Sequence, residues 1–148
     1  NAGFGLLELM VTLVIACLLV SVAIPTYGQF ADRAHTSGSI TDMRWISIEI
    51  SKYQLRNNDA LPNTLADLGV PIPLDPWDRP YQYLNLAAAG AGDGKARKDK
   101  NLHQLNTDYD LYSLGPDGAS KAPLNASISR DEIVRANDGA YVGKAEEY

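Results

Sequence analysis

The sequence predicts an α+β fold in which one long N-terminal helix packs against a small antiparallel sheet with long loops. Three observations lead to this prediction. Residues 4–24 form an apolar run whose only charged residue is Glu8, and apolar residues then recur at spacings of three and four as far as Tyr53. The remaining residues form short alternating segments separated by turns rich in Gly and Pro. A chain of 148 residues has room for one membrane segment and one modest globular domain.

The apolar run is about long enough to cross the roughly 30 Å hydrocarbon core of a bilayer as a helix. A carboxylate near one end of such a helix is costly unless it is neutralised or paired, so Glu8 is a candidate functional residue. A plain signal anchor that tolerates one acid is the alternative. A cleavable secretory signal is not expected, because the run is too long for one and leads directly into Pro25.

Residues 25–57 are expected to continue the helix as an amphipathic segment. Pro25 lacks an N–H and should kink or locally open the helix where it begins. The inward face is predicted to carry Ile40, Met43, Ile46 and Ile50. Asn57-Asn58-Asp59 is a plausible helix stop.

Residues 58–148 are expected to form a globular head that covers the amphipathic half of the helix. A short helix is predicted over residues 63–68, with Asn63 as its N-cap and Gly69 just beyond its end. Residues 81–84 and 109–114 alternate as strands do, and two or three antiparallel strands are expected. Tight turns are predicted at residues 75–80 and 115–118.

Composition excludes several classes of function. The formal charge is −5, and the one dense basic stretch, residues 95–100, is predicted to be a solvated loop, so nucleic-acid binding is not expected. Cys17 is the only cysteine, which rules out a disulfide within one chain. It is expected to pack as a small apolar side chain, with lipidation as the alternative. No catalytic constellation is present, and we do not expect an enzyme.

Three segments resemble one known family. Residues 3–13, GFGLLELMVTL, resemble the class III signal of type IV pilins and of type II secretion pseudopilins. LDPWDRPYQYLN (residues 74–85) and DYDLYSLGPDG (residues 108–118) are similar to segments of the major pseudopilin of type II secretion. Gly5 and Asp78 depart from the usual threonine and glycine. The resemblance implies a pilin-like fold and covers most of the chain up to Gly118.

The resemblance also implies processing and assembly. A prepilin peptidase would cut after Gly3 and methylate Phe4, which makes residues 1–3 the end of a leader; a mature chain that starts at Asn1 is the alternative. The carboxylate of Glu8 would then pair with the Phe4 amine of a neighbouring subunit, while Pro25 would give the packed helices some compliance.

The implied product is a helical filament of copies of this chain, either a surface pilus or a secretion pseudopilus. Its implied partners are an inner-membrane assembly platform with its ATPase and an outer-membrane secretin. The implied location is the bacterial inner membrane before assembly, and the periplasm or the cell exterior afterwards. A membrane-anchored binding module that does not polymerise is the rival function.

In the major pseudopilins a calcium ion ties the C-terminal loop together. The resemblance carries that expectation to the Leu114 carbonyl and the carboxylates of Asp117, Asp131 and Glu132, which are oxygen ligands of the kind that calcium takes. The alternative is a capping box over residues 129–132, with Ser129 capping a helix that reaches about Ala136.

Overall fold

The fold is described from a computed structural model of the chain. The structure describes residues 5–89 and 94–148, and the side chains of these except residues 23–26 and 89. The chain divides into two compact units, Asn1–Ala34 and His35–Tyr148. Gly3 and Phe4 lie outside the described residues, as does the side chain of Pro25. The predictions made for these three positions therefore stay predictions.

Helix α1 spans Leu6–Arg56 and includes both the apolar run and its amphipathic continuation. In the second unit Met43, Ile46 and Ile50 are fully buried, as their spacing predicts. Glu49, a charged residue next to this face, is buried as well and accepts a hydrogen bond from Lys52 Nζ at 2.7 Å. The predicted stop is confirmed, because the helix ends just before Asn58 and Asp59, which adopt left-handed backbone conformations.

Four antiparallel strands form the sheet, in the order β1-β2-β3-β4. Strand β1 spans Gln82–Asn85, β2 spans Tyr109–Ser113, β3 spans Ile133–Ala136 and β4 spans Tyr141–Lys144. A one-turn helix α2, Leu86–Ala89, follows β1. Short 3-10 turns cover Leu65–Leu68, Ser127–Ser129, Asn137–Gly139 and Ala145–Glu147. Neighbouring strands are therefore also neighbours in sequence, and long loops separate β1 from β2 and β2 from β3.

Both faces of the sheet are covered, and successive residues of a strand contribute to opposite faces. One face packs against α1 in a cluster formed by Met43, Ile46, Ile50, Leu68, Tyr81, Tyr109, Leu111 and Ile133. The other face carries a smaller cluster formed by Leu105, Leu124, Val134, Ala136 and Ala145. The long loops supply Leu105 and Leu124, so here the sheet is covered by loops and not by a second long helix.

Two sequence predictions for the C-terminal part are wrong. The sheet has four strands and not two or three, and residues 133–136 form β3 instead of a helix. The Ser129 hydroxyl does not cap a helix; it accepts a hydrogen bond from Lys121 N at 2.8 Å and donates one to Lys121 O at 2.9 Å. Pairing with β2 and β4 satisfies the β3 backbone, and this long-range pairing prevails over the local helix signal.

Two local predictions also need correction. The predicted short helix is a 3-10 turn, Leu65–Leu68, and its N-cap is Thr64 and not Asn63. Gly69 ends the turn in a left-handed conformation, as predicted. The basic stretch at residues 95–100 is not a solvated loop throughout. Ala96 and Arg97 are buried, with Arg97 only 2% exposed.

Candidate functional site

The first candidate site is the apolar surface of α1 in the first unit. Every side chain described from Gly5 to Val22 is exposed, and the large apolar ones keep about half or more of their surface open, from 78% at Leu6 to 49% at Val11. By length and composition α1 could cross a membrane. A helix that is apolar on all sides needs lipid or other protein around it.

Glu8 is the only charged residue on this surface. One carboxylate oxygen, Oε2, accepts a hydrogen bond from Gly5 N at 3.1 Å. An acid in the first turn of a helix is favoured there, because the first backbone N–H groups have no partner within the helix. Within one chain the carboxylate thus has a backbone donor but no cation among the described residues.

The other polar side chains of this segment are satisfied within the helix. Thr12 Oγ1 donates to Leu9 O at 2.9 Å, and Ser21 Oγ donates to Leu18 O at 2.8 Å. Cys17 is a free, exposed thiol. Glu8 is therefore the one group in this segment whose charge would still need a partner in an apolar surrounding.

In the head, the two segments that carry the family resemblance contact each other through Asp75 and Arg79. Asp75 is buried and accepts three hydrogen bonds, from Trp77 N at 3.0 Å, Arg79 N at 2.8 Å and Ser113 Oγ at 2.6 Å. The Arg79 guanidinium donates to the carbonyls of Gly115 and Pro116. The turn before β1 thus supports the turn after β2.

The four predicted calcium ligands divide into two groups. Asp117 is exposed, and its backbone N–H approaches Asp131 Oδ2 at 3.4 Å, which brings these two residues together near half-buried Leu114. Glu132 is fully buried, and its carboxylate forms an ion pair with Arg97. The described residues contain no cluster of three or more His, Cys, Asp or Glu side chains that could hold a metal ion.

Arg97 lies at the centre of a polar cluster on the loop-covered face of the sheet. Its guanidinium stacks over the Tyr112 ring, with Cζ 4.5 Å from the ring centroid. Nη1 donates to Ser120 Oγ at 2.7 Å and to Lys121 O at 2.6 Å, while Nη2 donates to Glu132 Oε2. The Arg97 backbone N–H donates to buried Asp110 Oδ2 at 2.6 Å.

The electrostatics of the cluster follow from burial, which disfavours charged carboxylates, and from nearby guanidinium groups, chiefly that of Arg97. Burial raises the pKa of Glu132 to about 6, and the Arg97 guanidinium opposes that shift. Burial also raises the pKa of Asp110, against hydrogen bonds from Arg97 N and Asn106 Nδ2. The Arg97 guanidinium thus stabilises the charge of both buried carboxyl groups, and Arg135 adds to this at Asp110.

A calcium ion does not fit readily beside this pair. Glu132 Oε1 has no hydrogen-bond partner among the described residues, yet the other oxygen already binds a full positive charge. An ion bound at Oε1 would have to share this one carboxylate with the guanidinium, and the two positive charges would repel each other. Glu132 thus does not suit the calcium site that the resemblance implies, and calcium binding itself stays an untested prediction.

Sequence reasoning missed Asp75, Arg79 and Arg97 as organising residues. Asp75 and Arg79 stand in the segment 74–85, which carries the family resemblance. Asp75 could have been recognised by its residue type, since Asp in turns often binds nearby backbone N–H groups. Arg97 gave no such signal. It stands in a charged stretch rich in Gly and Ala, and the partners of its side chain and backbone N–H are 13 to 35 residues away.

Comparison with known proteins gives matches along most of the chain. The type II secretion system core protein G of Pseudomonas aeruginosa is 30% identical over 139 residues, which cover 80% of this chain and 85% of that protein. The core protein G of Vibrio cholerae serotype O1 is 26% identical over 138 residues, with 80% and 82% covered. A fimbrial protein of Neisseria meningitidis serogroup A is 24% identical over 136 residues, with 92% and 79% covered. No protein-family model and no solved structure matches the chain.

Proposed function

The chain belongs to the pilin-like family that includes type II secretion system core protein G, and from this premise we propose that it is the structural subunit of a helical pilus-like or pseudopilus filament. The subunit starts as a single-pass inner-membrane protein, is processed by a prepilin peptidase, and then polymerises through α1. A head-to-tail contact that does not close on itself gives an open helical fibre. The assembly platform, its ATPase and the secretin are the partners that this function requires.

The observation that carries the proposal is the apolar surface from Gly5 to Val22, which is exposed on all sides of the helix. A membrane can cover this surface before assembly, and copies of the same helix can cover it afterwards. A mere tether would need the apolar surface as well, but it would not need the acid.

Glu8 distinguishes the two functions. In a filament the exposed carboxylate would exchange its contact with Gly5 N for an ion pair with the Phe4 amine of a neighbour, which also lies in an apolar surrounding. Removing one partner of a buried ion pair costs about 3–5 kcal/mol, because the other charge is then left without compensation. Only the stagger of subunits that brings the amine to the carboxylate avoids this cost.

The test compares cells that produce the wild-type chain together with its assembly machinery, the Glu8→Ala variant and the Glu8→Asp variant. Asp32→Ala is the matched control, since it removes an exposed carboxylate from α1 beyond the apolar run. Filaments are sheared from the cells or isolated from the periplasm, and the intact mass and N-terminal sequence of the subunit are measured. Carbonate extraction of membranes reports insertion separately.

We expect wild type and Asp32→Ala to give filaments whose subunit begins at methylated Phe4. Glu8→Ala should insert into membranes normally but lose assembly more than about tenfold, since each 1.4 kcal/mol is a factor of ten. Glu8→Asp should recover part of the assembly. A subunit that begins at Asn1 would overturn the amine–carboxylate pairing. Normal function of Glu8→Ala without filaments would favour the membrane-anchored binding module.

A further inference from the structure

The connection between β2 and β3, residues 114–132, is held by polar groups of the chain itself. Arg97 donates to Ser120 Oγ and Lys121 O in this connection, while its backbone carbonyl accepts a hydrogen bond from Leu105 N at 3.0 Å. The Ser129 hydroxyl binds both Lys121 N and Lys121 O. The Lys121 peptide groups are therefore fixed both by the loop before β2 and by the end of the connection.

Backbone bonds extend the same contact. Lys98 N donates to Ala122 O at 2.9 Å, and Leu124 N donates to Lys98 O at 2.9 Å. Residues 97–98 thus lie alongside residues 121–124, and the Arg97 side chain reaches past them to Glu132, the last residue before β3. The guanidinium joins the connection at its middle and at its end, which is the task that a bound cation would otherwise perform.

We propose that the Arg97 guanidinium is a built-in cation that closes the β2–β3 connection, with Glu132 as its counterion instead of a calcium ligand. The planar guanidinium suits this position, because its several N–H groups reach a carboxylate, a hydroxyl and a carbonyl at once. A lysine also has three N–H donors, but they share one nitrogen, so it lacks the planar fork whose Nη1 and Nη2 reach partners on different sides. The head is then ordered without metal, and this property does not depend on filament assembly.

Thermal unfolding of the full chain in detergent, followed by tryptophan fluorescence, tests the proposal. Both tryptophans, Trp45 in α1 and Trp77 in the head, lie in the unit His35–Tyr148, so the signal reports on the unfolding of that unit. Wild type is measured in excess EDTA and in excess calcium chloride, with isothermal calorimetry of calcium binding alongside. We expect the same melting temperature in both solutions and no calcium binding that Glu132→Gln removes.

Substitutions test the ion pair directly. Arg97→Met should lower the melting temperature by roughly 10 °C or more, since it leaves Glu132 buried without a cation. Arg97→Lys should recover only part of this loss. The matched control is Lys100→Met, which removes an exposed cation from the same loop and should shift the melting temperature by no more than about 2 °C.

A double variant keeps the proposal testable if Arg97→Met fails to fold. Replacing both Arg97 and Glu132 by Met removes both buried charges, and the melting temperature should return most of the way to that of wild type. Two results would overturn the proposal. The first is that calcium raises the melting temperature of wild type but not that of Glu132→Gln. The second is that Arg97→Met is as stable as Lys100→Met.

Discussion

Gly115 and Gly69 form a matched pair for testing the turn that follows β2. Their backbone φ angles are +70° and +69°, in the region that side chains disfavour. A Cβ added at Gly69 would meet nothing within 4 Å, whereas one added at Gly115 would lie 2.6 Å from the backbone oxygen of Asp131. Alanine at either site therefore has the same conformational cost, and only Gly115 has a steric cost as well.

The expected magnitudes follow from these two terms. The left-handed conformation costs an alanine about 1 kcal/mol in each variant. At Gly115 the obstacle is a backbone atom of Asp131, two residues before β3, so relief requires a shift of the chain and adds roughly 1–3 kcal/mol. We expect Gly69→Ala to lower the free energy of unfolding by about 1 kcal/mol, and Gly115→Ala by about 2–4 kcal/mol.

Urea unfolding followed by tryptophan fluorescence measures both values on the full chain in detergent. If the two variants lose the same free energy of unfolding, Asp131 does not lie against this turn. The close contact between the turn and β3 would then be wrong, and with it the placement of Asp131 beside Asp117.

Three further predictions concern residues 35–148. Asp75→Ala leaves three hydrogen-bond donors without their acceptor, so the free energy of unfolding should fall by about 3 kcal/mol. The control Glu146→Ala removes an exposed carboxylate and should change this free energy by less than about 0.5 kcal/mol; equal values in urea unfolding would contradict the role of Asp75. Ile46→Ala, at a fully buried position of α1, should lower the free energy of unfolding by about 2–5 kcal/mol, and Ile48→Ala, at a position 54% exposed, by less than about 1 kcal/mol. Equal losses would show that the face with Ile46 does not pack on the sheet. Hydrogen bonds from Thr107 lower the pKa of Asp138, so the stability that this carboxylate contributes is present above the unfolded-state pKa of about 3.9 and is lost as the pH falls through the lower folded-state value. When melting temperatures are measured from about pH 6 downwards, that of Asp138→Asn should fall less steeply than that of wild type. Identical profiles would refute the role of this carboxylate.

Local periodicity was enough to predict the helix and the first two strands, since residues 81–84 were predicted as a strand and β1 covers Gln82–Asn85. Met43, Ile46 and Ile50 follow the helical repeat, and all three are fully buried. Residues 109–114 alternate, and β2 covers Tyr109–Ser113. Both signals arise within one element, because a face that must be buried repeats with the period of its own backbone.

Strands β3 and β4 could not be predicted in this way, because their formation depends on residues far away along the chain. Ser129 and Glu132 have the spacing of a capping box, which is a local signal for a helix. Their side chains instead bind Lys121 and Arg97, 8 and 35 residues away. A pattern of four residues cannot indicate such partners, and β3 forms because β2 and β4 pair with it on both sides.

The two proposed sites differ in the same respect, and they can fail independently. The apolar surface with Glu8 is a property of consecutive residues, so composition and one acid were enough to predict it. The Arg97–Glu132 pair exists only once the loops have folded onto the sheet. Glu8→Ala should therefore leave the melting temperature of the head unchanged, because Glu8 lies in the other unit. Arg97→Met should lower that temperature even in chains that never assemble. A variant of either residue that changed both properties together would show that assembly and folding of the head are coupled.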